Sequence, residues 1–306
     1  MSDHDPILLR RLLELRRFPL LATAELPELA MLAENVVEAS HEDGVIVAAP
    51  PFSEAIHLVL SGKIAVGPAS HGAHGAFGLL EVLARRPLAT PAIAVGETRT
   101  LQITGADLRE ILEENFGLLL IAIRELAGRT LAARVPPRAA APRTPAFAMA
   151  APGGSPLGLV ERMLALRRQA PFAPSSRERG EGGGGQTAPL EAIAILAHAS
   201  KETTSPAGAV IARSGDPAHS ACFLLEGTVR VTRDGAEPYL LGPGSSIGVL
   251  EGLAGVRHAA TAEVVAPVRA LEIAGSVIFD VIEDHTELGL AVVEALAGGL
   301  LDAAGR

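Results

Sequence analysis

The feature that most constrains this chain is that it says the same thing twice. Shift the segment Val45 to Val66 by 165 positions and Val45, Ile46, Leu58, Leu60, Gly62 and Val66 fall on Val210, Ile211, Phe223, Leu225, Gly227 and Val231. Further on the shift is 170. Arg99, Leu101, Ile103 and Gly105 then meet Arg269, Leu271, Ile273 and Gly275, and Leu118, Leu120, Leu126, Ala127 and Gly128 meet Leu288, Leu290, Leu296, Ala297 and Gly298. An ungapped order of apolar pairs, glycines and helical leucines marks a duplicated domain rather than composition bias. The change of shift places a length difference between the matched blocks, where a surface hairpin absorbs it.

The second copy is the more readable. Val210-Ile211-Ala212 and Cys222 to Leu225 are apolar runs on either side of Ser214-Gly215-Asp216-Pro217, a turn-forming set. Glu226-Gly227 reads as a second tight turn. Val229 and Val231 then alternate with Arg230 and Thr232, the period of a half-buried strand. Short strands closed by tight turns predict an antiparallel roll or barrel. The fold class expected is α+β, mainly β: two antiparallel β-roll domains of jelly-roll or cupin-like form, each flanked by N- and C-terminal helices.

Helical spacing predicts helices from Pro6 to Arg17, Glu28 to Glu38, Leu108 to Asn115 (capped by Gly105-Ala106-Asp107) and Phe116 to Arg134. In the second copy it predicts Leu157 to Arg168, Pro189 to His198, Val277 to Glu283 and Thr286 to Leu301. Leu164-Ala165-Leu166-Arg167-Arg168 echoes Leu13-Glu14-Leu15-Arg16-Arg17. Strands are expected from Val45 to about Val66 and from Ile93 to Ile103. The stretch from Pro136 to Pro156 is rich in Pro, Ala and Gly and reads as a semi-extended linker. The division expected is 1–134, linker 135–156, and 157–306. Ser175 to Gln186 adds charges and four glycines, Gly182 to Gly185. No Gly-Lys-Ser/Thr ending follows them, so they read as a loop and not a phosphate cradle.

Composition narrows the function. With 26 basic and 35 acidic residues the net charge is −9, which argues against a broad nucleic-acid surface. Cys222 is the single cysteine, so no internal disulfide is available, and its strand context makes it a small core hydrophobe. Met1-Ser2-Asp3-His4-Asp5-Pro6 has neither a basic nor an apolar leader pattern, and the apolar run Phe116 to Ile123 is too short for a bilayer. The expectation is a cytoplasmic protein without a membrane span. His71 and His74, three apart, have the spacing of two metal ligands. No third ligand stands nearby, so a plain loop over Gly67 to Gly75 is expected and no metal. No nucleophile, acid–base pair or metal set emerges, and the chain reads as no enzyme.

Gly215-Asp216-Pro217-Ala218, the run Phe223 to Val231, Leu241-Gly242-Pro243-Gly244, and Ile247-Gly248 leading to Ala260-Thr261 resemble the cyclic nucleotide-binding domain of bacterial catabolite activator proteins and protein kinase A regulatory subunits. In the first copy Leu58-Val59-Leu60-Ser61-Gly62 and Phe77-Gly78 carry the resemblance. It implies a ligand cassette: a short helix whose N-terminus and one arginine hold the phosphate, and a glutamate after the Phe-Gly pair that accepts the ribose 2′-hydroxyl. On that pattern the ribose positions are Leu79 and Val249, followed by Leu80 and Leu250. The phosphate-arginine positions are Leu88 and His258. Arg85 and Arg86 come early in the first copy, with Pro87 between them and Leu88. In the second, Arg257 comes one place early, ahead of Ala259, Ala260 and Thr261. Losing a charged hydrogen bond costs about 1.5–3 kcal/mol, and losing two in a buried phosphate site removes several powers of ten in affinity.

Three readings follow. The preferred one is a non-enzymatic regulatory or scaffold protein whose two degenerate rolls work through protein–protein interaction, with no cofactor. Its terminal helices, apolar beyond one stripe (Leu118, Leu119, Ile121, Ala122, Leu126; Leu290, Val292, Val293, Leu296), would serve partners, self-association or pairing of the two copies. The second is a sensor in which domain 2 keeps cyclic AMP or cyclic GMP through Arg257, Thr261 and the N–H groups after Gly248. The third is some other small ligand. The resemblance would also place a DNA-reading domain after the second roll in a transcription factor. Only Asp302-Ala303-Ala304-Gly305-Arg306 follows Leu301, so no DNA partner is expected.

Overall fold

The computed structural model describes residues 6–49, 54–133, 156–169 and 188–304. The Pro/Ala-rich linker apart from Pro156, the segment Ser175 to Gln186 and the first five residues lie outside the described residues. Two compact units are present. One comprises 1–125 with 296–306, the other 126–295.

In the first unit, helix α1 (Pro6–Leu15) and a single 3₁₀ turn (Pro19–Leu21) lead to α2 (Leu26–Asn35). The strands are β1 (Val37–His41), β2 (Ile46–Ala48), β3 (Ala55–Val66), β4 (Ala69–Gly72) and β5 (Ala76–Phe77). A short helix α3 (Leu79–Leu83) precedes β6 (Ala92–Thr104), then α4 (Gly105–Glu114) and α5 (Phe116–Ala132), whose residues from Leu126 on group with the second unit. All strand pairings are antiparallel. The sheet order is β1-β6-β3-β4, with β2 on β6 and β5 on β3.

The second unit repeats this arrangement with α6 (Leu159–Leu166), α7 (Leu190–Ala199), β7 (Lys201–Ser205), β8 (Val210–Ala212), β9 (Ser220–Thr232), β10 (Tyr239–Leu241), β11 (Ser246–Ile247), α8 (Val249–Ala254), β12 (Thr261–Ala274), α9 (Gly275–Asp284) and α10 (Thr286–Ala304), whose last turns from Leu296 on group with the first unit. Its order is β10-β9-β12-β7, with β11 on β9 and β8 on β12. The fold is α+β and mainly β, two antiparallel rolls flanked by helices, as the duplication and the strand periods imply.

Several expectations need correction. Glu226-Gly227 is not a turn. β9 runs through it as one strand, and its register against β12 shifts there, with Glu226 opposite Arg269 and Thr228 opposite Ala266. Gly227 has φ 89°, and a Cβ on it would stand 2.2 Å from the Pro267 carbonyl oxygen. A positive-φ glycine inside a strand makes a bulge that bends the strand without ending it. Gly62 does the same in β3, at φ 79° and 2.4 Å from the Glu97 oxygen. Thr98, fully buried, fastens that bulge: its hydroxyl accepts from Lys63 N and donates to Lys63 O and Gly96 O.

The helix expected to reach Glu38 stops at Asn35, because Val36 is already extended and Val37–His41 pairs with β6. The expected loop Gly67 to Gly75 contains β4, paired with β3 from Lys63 to Val66. The α4 cap is Thr104, whose hydroxyl accepts from Asp107 N at 3.1 Å.

Both rolls share one tie that periodicity does not show. Glu202 on β7 accepts from Arg269 Nε at 2.5 Å and from Leu157 N at 2.8 Å. In the first unit Glu38 takes Arg99 Nε at 2.9 Å, and also Arg10 of α1. Burial alone raises the Glu202 carboxyl, but the Arg269 and Leu157 hydrogen bonds outweigh it and hold it below the usual range. The Glu38 carboxyl is lowered first by its Arg99 bond. Each glutamate thus ties the N-terminal segment of its repeat to the sheet.

Inside the second roll, Leu224, Val229, Leu241, Ile247, Val264 and Ala270 form the core with Cys222. The Cys222 thiol is pushed up to about 12 by burial and by the Glu272 carboxylate, so it packs as a small hydrophobe. Leu288, Leu290, Val292, Val293, Leu296 and Leu300 of α10 are all buried within one copy of the chain.

Gly227→Ala should cost at least about 2 kcal/mol, from a left-handed φ and a collision with backbone that cannot rotate away. Chemical denaturation checks this, with Gly215→Ala as reference, since it has the same sign of φ and open space around it.

Candidate functional site

Each roll carries one cassette built from the same parts. A two-residue strand delivers the chain to a glycine in the left-handed region, and a short helix starts at once. Gly78 has φ 79° and Gly248 φ 81°. A Cβ on Gly78 would meet the Ala55 oxygen at 2.7 Å, and on Gly248 the Ser220 oxygen at 2.6 Å. Only glycine lets the chain turn this close to the neighbouring strand. The glycine of Phe77-Gly78 and Ile247-Gly248 is therefore required by backbone geometry whatever the pocket holds.

The side chains around these glycines differ from a phosphate site. In the first cassette Leu79 is half-buried and Leu88 is buried, packed with Val59, Ile64, Phe77, Ala92 and Ala94 in the roll's own core. The position at which the resemblance implies a guanidinium is filled by an aliphatic side chain facing inward. Arg85 is exposed, with φ 51°, where the second repeat has Gly255 at φ 69°. Arg86 is half-buried and donates to Asp302 at 2.6 Å.

In the second cassette Val249 is buried and Leu250 partly so. His258 brings its imidazole Cε1 to 3.1 Å from where a Cβ on Gly248 would stand. His258 thus lies against the cassette glycine. Arg257 is exposed, its guanidinium donates to the Gly215 carbonyl at 2.8 Å, and its backbone bridges to Pro217. Thr261 accepts from Ser214 N at 3.1 Å, and Ala260 packs against the core. Gly248, Val249 and His258 are brought together, while Arg257 and Thr261 are engaged with the Ser214–Pro217 turn.

One buried titratable group went unnoticed in the sequence. His57 on β3 is 5% exposed, stacks on Phe77 with ring centroids 4.5 Å apart and planes 8° from parallel, and has no hydrogen-bond partner at Nδ1. Its setting between Ile56 and Leu58 was the available signal. Burial, and then the charge of His41, depress it to about 4. His41 itself bonds Thr100 Oγ1 at 3.1 Å through Nε2. His71 leans on Phe77 at 6.0 Å and His74 stands edge-on to Phe18 at 5.7 Å, so aromatic neighbours take both loop histidines. Among the described residues no three His, Cys, Asp or Glu side chains gather as a metal set.

Each of the two rolls thus carries a strand–glycine–helix cassette. Residues 202–285 match the family model of the cyclic nucleotide-binding domain. The second repeat is therefore a cyclic nucleotide-binding domain, and the first repeats its strand order, bulge glycine and cassette. No curated protein matches the chain.

Among solved structures, the regulatory subunit of a cAMP-independent protein kinase A from Trypanosoma brucei is 14% identical, over 100% of this chain and 92% of that one, with a TM-score of 0.36. Its counterpart from Trypanosoma cruzi, bound to guanosine, is 15% identical over 94% and 91%, with the same TM-score. The N-terminal domain of a transcriptional regulator from Streptomyces coelicolor is 20% identical over 45% of this chain and 94% of its own, at a TM-score of 0.36. Among the described residues no helix is long and apolar enough to cross a membrane.

His57 is neutral in the fold and takes a proton readily once unfolded. Its stabilising effect is therefore complete above its ordinary value of 6.5 and is lost as pH falls from 6.5 toward 4. At pH 5 the loss is on the order of 2 kcal/mol. Thermal melts between pH 7 and 4.5 should show this slope, and His57→Phe should flatten it.

Proposed function

We propose that this chain is a non-catalytic regulatory protein whose two cyclic nucleotide-binding folds, 1–134 and 157–306 joined by 135–156, act through protein–protein contact, their cassettes being degenerate toward cyclic nucleotides. The observation that carries this is Leu88. It occupies the phosphate-arginine position and is sealed in the first roll's core. An arginine there would have to leave an apolar cluster, and a phosphate arriving without one would be buried unpaired. In the second roll the same position holds the His258 imidazole, and the ribose-acceptor position holds buried Val249, which cannot accept a hydroxyl.

A sensor function for the second roll is the alternative. The family match is confined to it, and Gly248 keeps the backbone turn that opens a cassette. Arg257 would have to give up Gly215 to reach a ligand.

Titration calorimetry of the full chain with cyclic AMP and with cyclic GMP separates the two. No saturable binding is expected. Joint replacement Val249→Glu and His258→Arg should restore two charged contacts worth about 1.5–3 kcal/mol each and raise affinity by roughly two to four powers of ten. Micromolar binding by the unaltered chain, abolished by Arg257→Ala, would replace the proposal with the sensor reading.

A further inference from the structure

We propose that the last turns of α10 form a latch on the first cassette, closed by the Arg86–Asp302 ion pair and opened by an anion that takes Arg86 from that carboxylate. Arg86 stands just past the Ala84–Arg85 turn that ends α3, and its Nη1 donates to Asp302 Oδ1 at 2.6 Å across 216 positions of sequence. Both side chains keep about a third of their surface in solvent, 34% and 38%, so a dissolved anion can reach the pair. Gly298 lies one helical turn before Asp302 on the same face, and a Cβ there would stand 3.3 Å from Arg86 Nη2. The helix thus offers the guanidinium a bare patch of backbone and, one turn on, a countercharge.

Two further observations fit a latch and not a rigid strut. Arg85 holds φ 51°, a conformation that costs a non-glycine residue, where the matched residue of the second repeat is Gly255. That turn is what delivers Arg86 to the helix. Gly299, beside Gly298, has open space where a Cβ would be, so packing does not require glycine there. The matched residue of the first repeat is Arg129. Two adjacent glycines inside a helix weaken it where the final turns begin. Release would uncover Leu296, Ala297 and Leu300, all buried when the latch is closed. Arg86 exchanges one oxyanion for another, because its planar fork suits carboxylate and phosphate alike.

Hydrogen exchange of the amides from 296 to 304 in the full chain tests this. Arg86→Ala and Asp302→Asn should each speed exchange there by about two- to fivefold, the range of a partly exposed ion pair. The exchanged pair, Arg86→Asp with Asp302→Arg, should restore it, and Arg17→Ala, which removes an unrelated surface pair, should leave it unchanged. Gly299→Ala should slow exchange by about fivefold. Millimolar pyrophosphate should speed exchange in the unaltered chain beyond sodium chloride of equal ionic strength, and should do nothing more in Arg86→Ala. Unchanged exchange in both single variants, or equal effects of pyrophosphate and chloride, would overturn the latch.

Discussion

One backbone-on-backbone contact shapes each roll. At Gly227 the chain of β9 lies so close to Pro267 that no side-chain atom fits between them, and at Gly62 β3 lies as close to Glu97. Long antiparallel strands twist but do not fold over by themselves. A bulge with a left-handed residue supplies the bend that turns a flat hairpin into a closed roll. Because the bend falls midway along β3 and β9, the halves before it pair with β5 and β11 and the halves beyond it with β4 and β10. The cassette glycines follow β5 and β11 directly, so the placement of the cassettes descends from the bulge. The five-residue difference between the repeats falls beyond it: Gly67-Pro68 join β3 to β4, whereas residues 233–238 join β9 to β10.

Against that common backbone, what the repeats kept and what they hold differently are physically distinct. The glutamate–arginine tie between the first strand and the long return strand is present in both, as Glu38–Arg99 and Glu202–Arg269. It is partly buried and hydrogen-bonded, so removing one partner leaves an uncompensated charge. The cassettes carry no such constraint. A roll that relies on ligand to complete its core is stabilised only while ligand is bound. Leu88 instead supplies roughly 1.5–3 kcal/mol of apolar burial at all times. A core closed in this way is stable empty.

The residues that were legible in sequence are those whose neighbours are close along the chain or repeated at a fixed shift. The apolar alternation of Val229 and Val231, the turn at Ser214–Pro217 and the cassette glycines all belong to this kind. Glu226-Gly227 was misread because a bulge glycine and a turn glycine look alike until the partner strand is seen. β1 was hidden because Val37–His41, with Glu38 and His41 among five residues, has weak alternation directly after a helix. The aliphatic type of Leu88 was legible, but its packing against Val59, Ile64 and Ala94 was not. Arg86 and Asp302 lie too far apart in sequence for any pattern to join them.

Charge balance gives the arginines near the cassettes their last determinant. In a chain with 35 acidic against 26 basic residues, a guanidinium finds an internal acceptor unless the fold withholds one. Arg86 has Asp302 and Arg257 has the Gly215 carbonyl. An acceptor on the same chain acts at an effective concentration of order millimolar. A ligand phosphate at micromolar concentration must outcompete it, and it gains no second charged contact from Leu79 or Val249 with which to do so. The aliphatic side chains of Leu79 and Val249 and the engaged arginines therefore act together. Each alone weakens anion capture, and in combination they leave Arg86 with the chain's own carboxylate unless an anion reaches about the millimolar range.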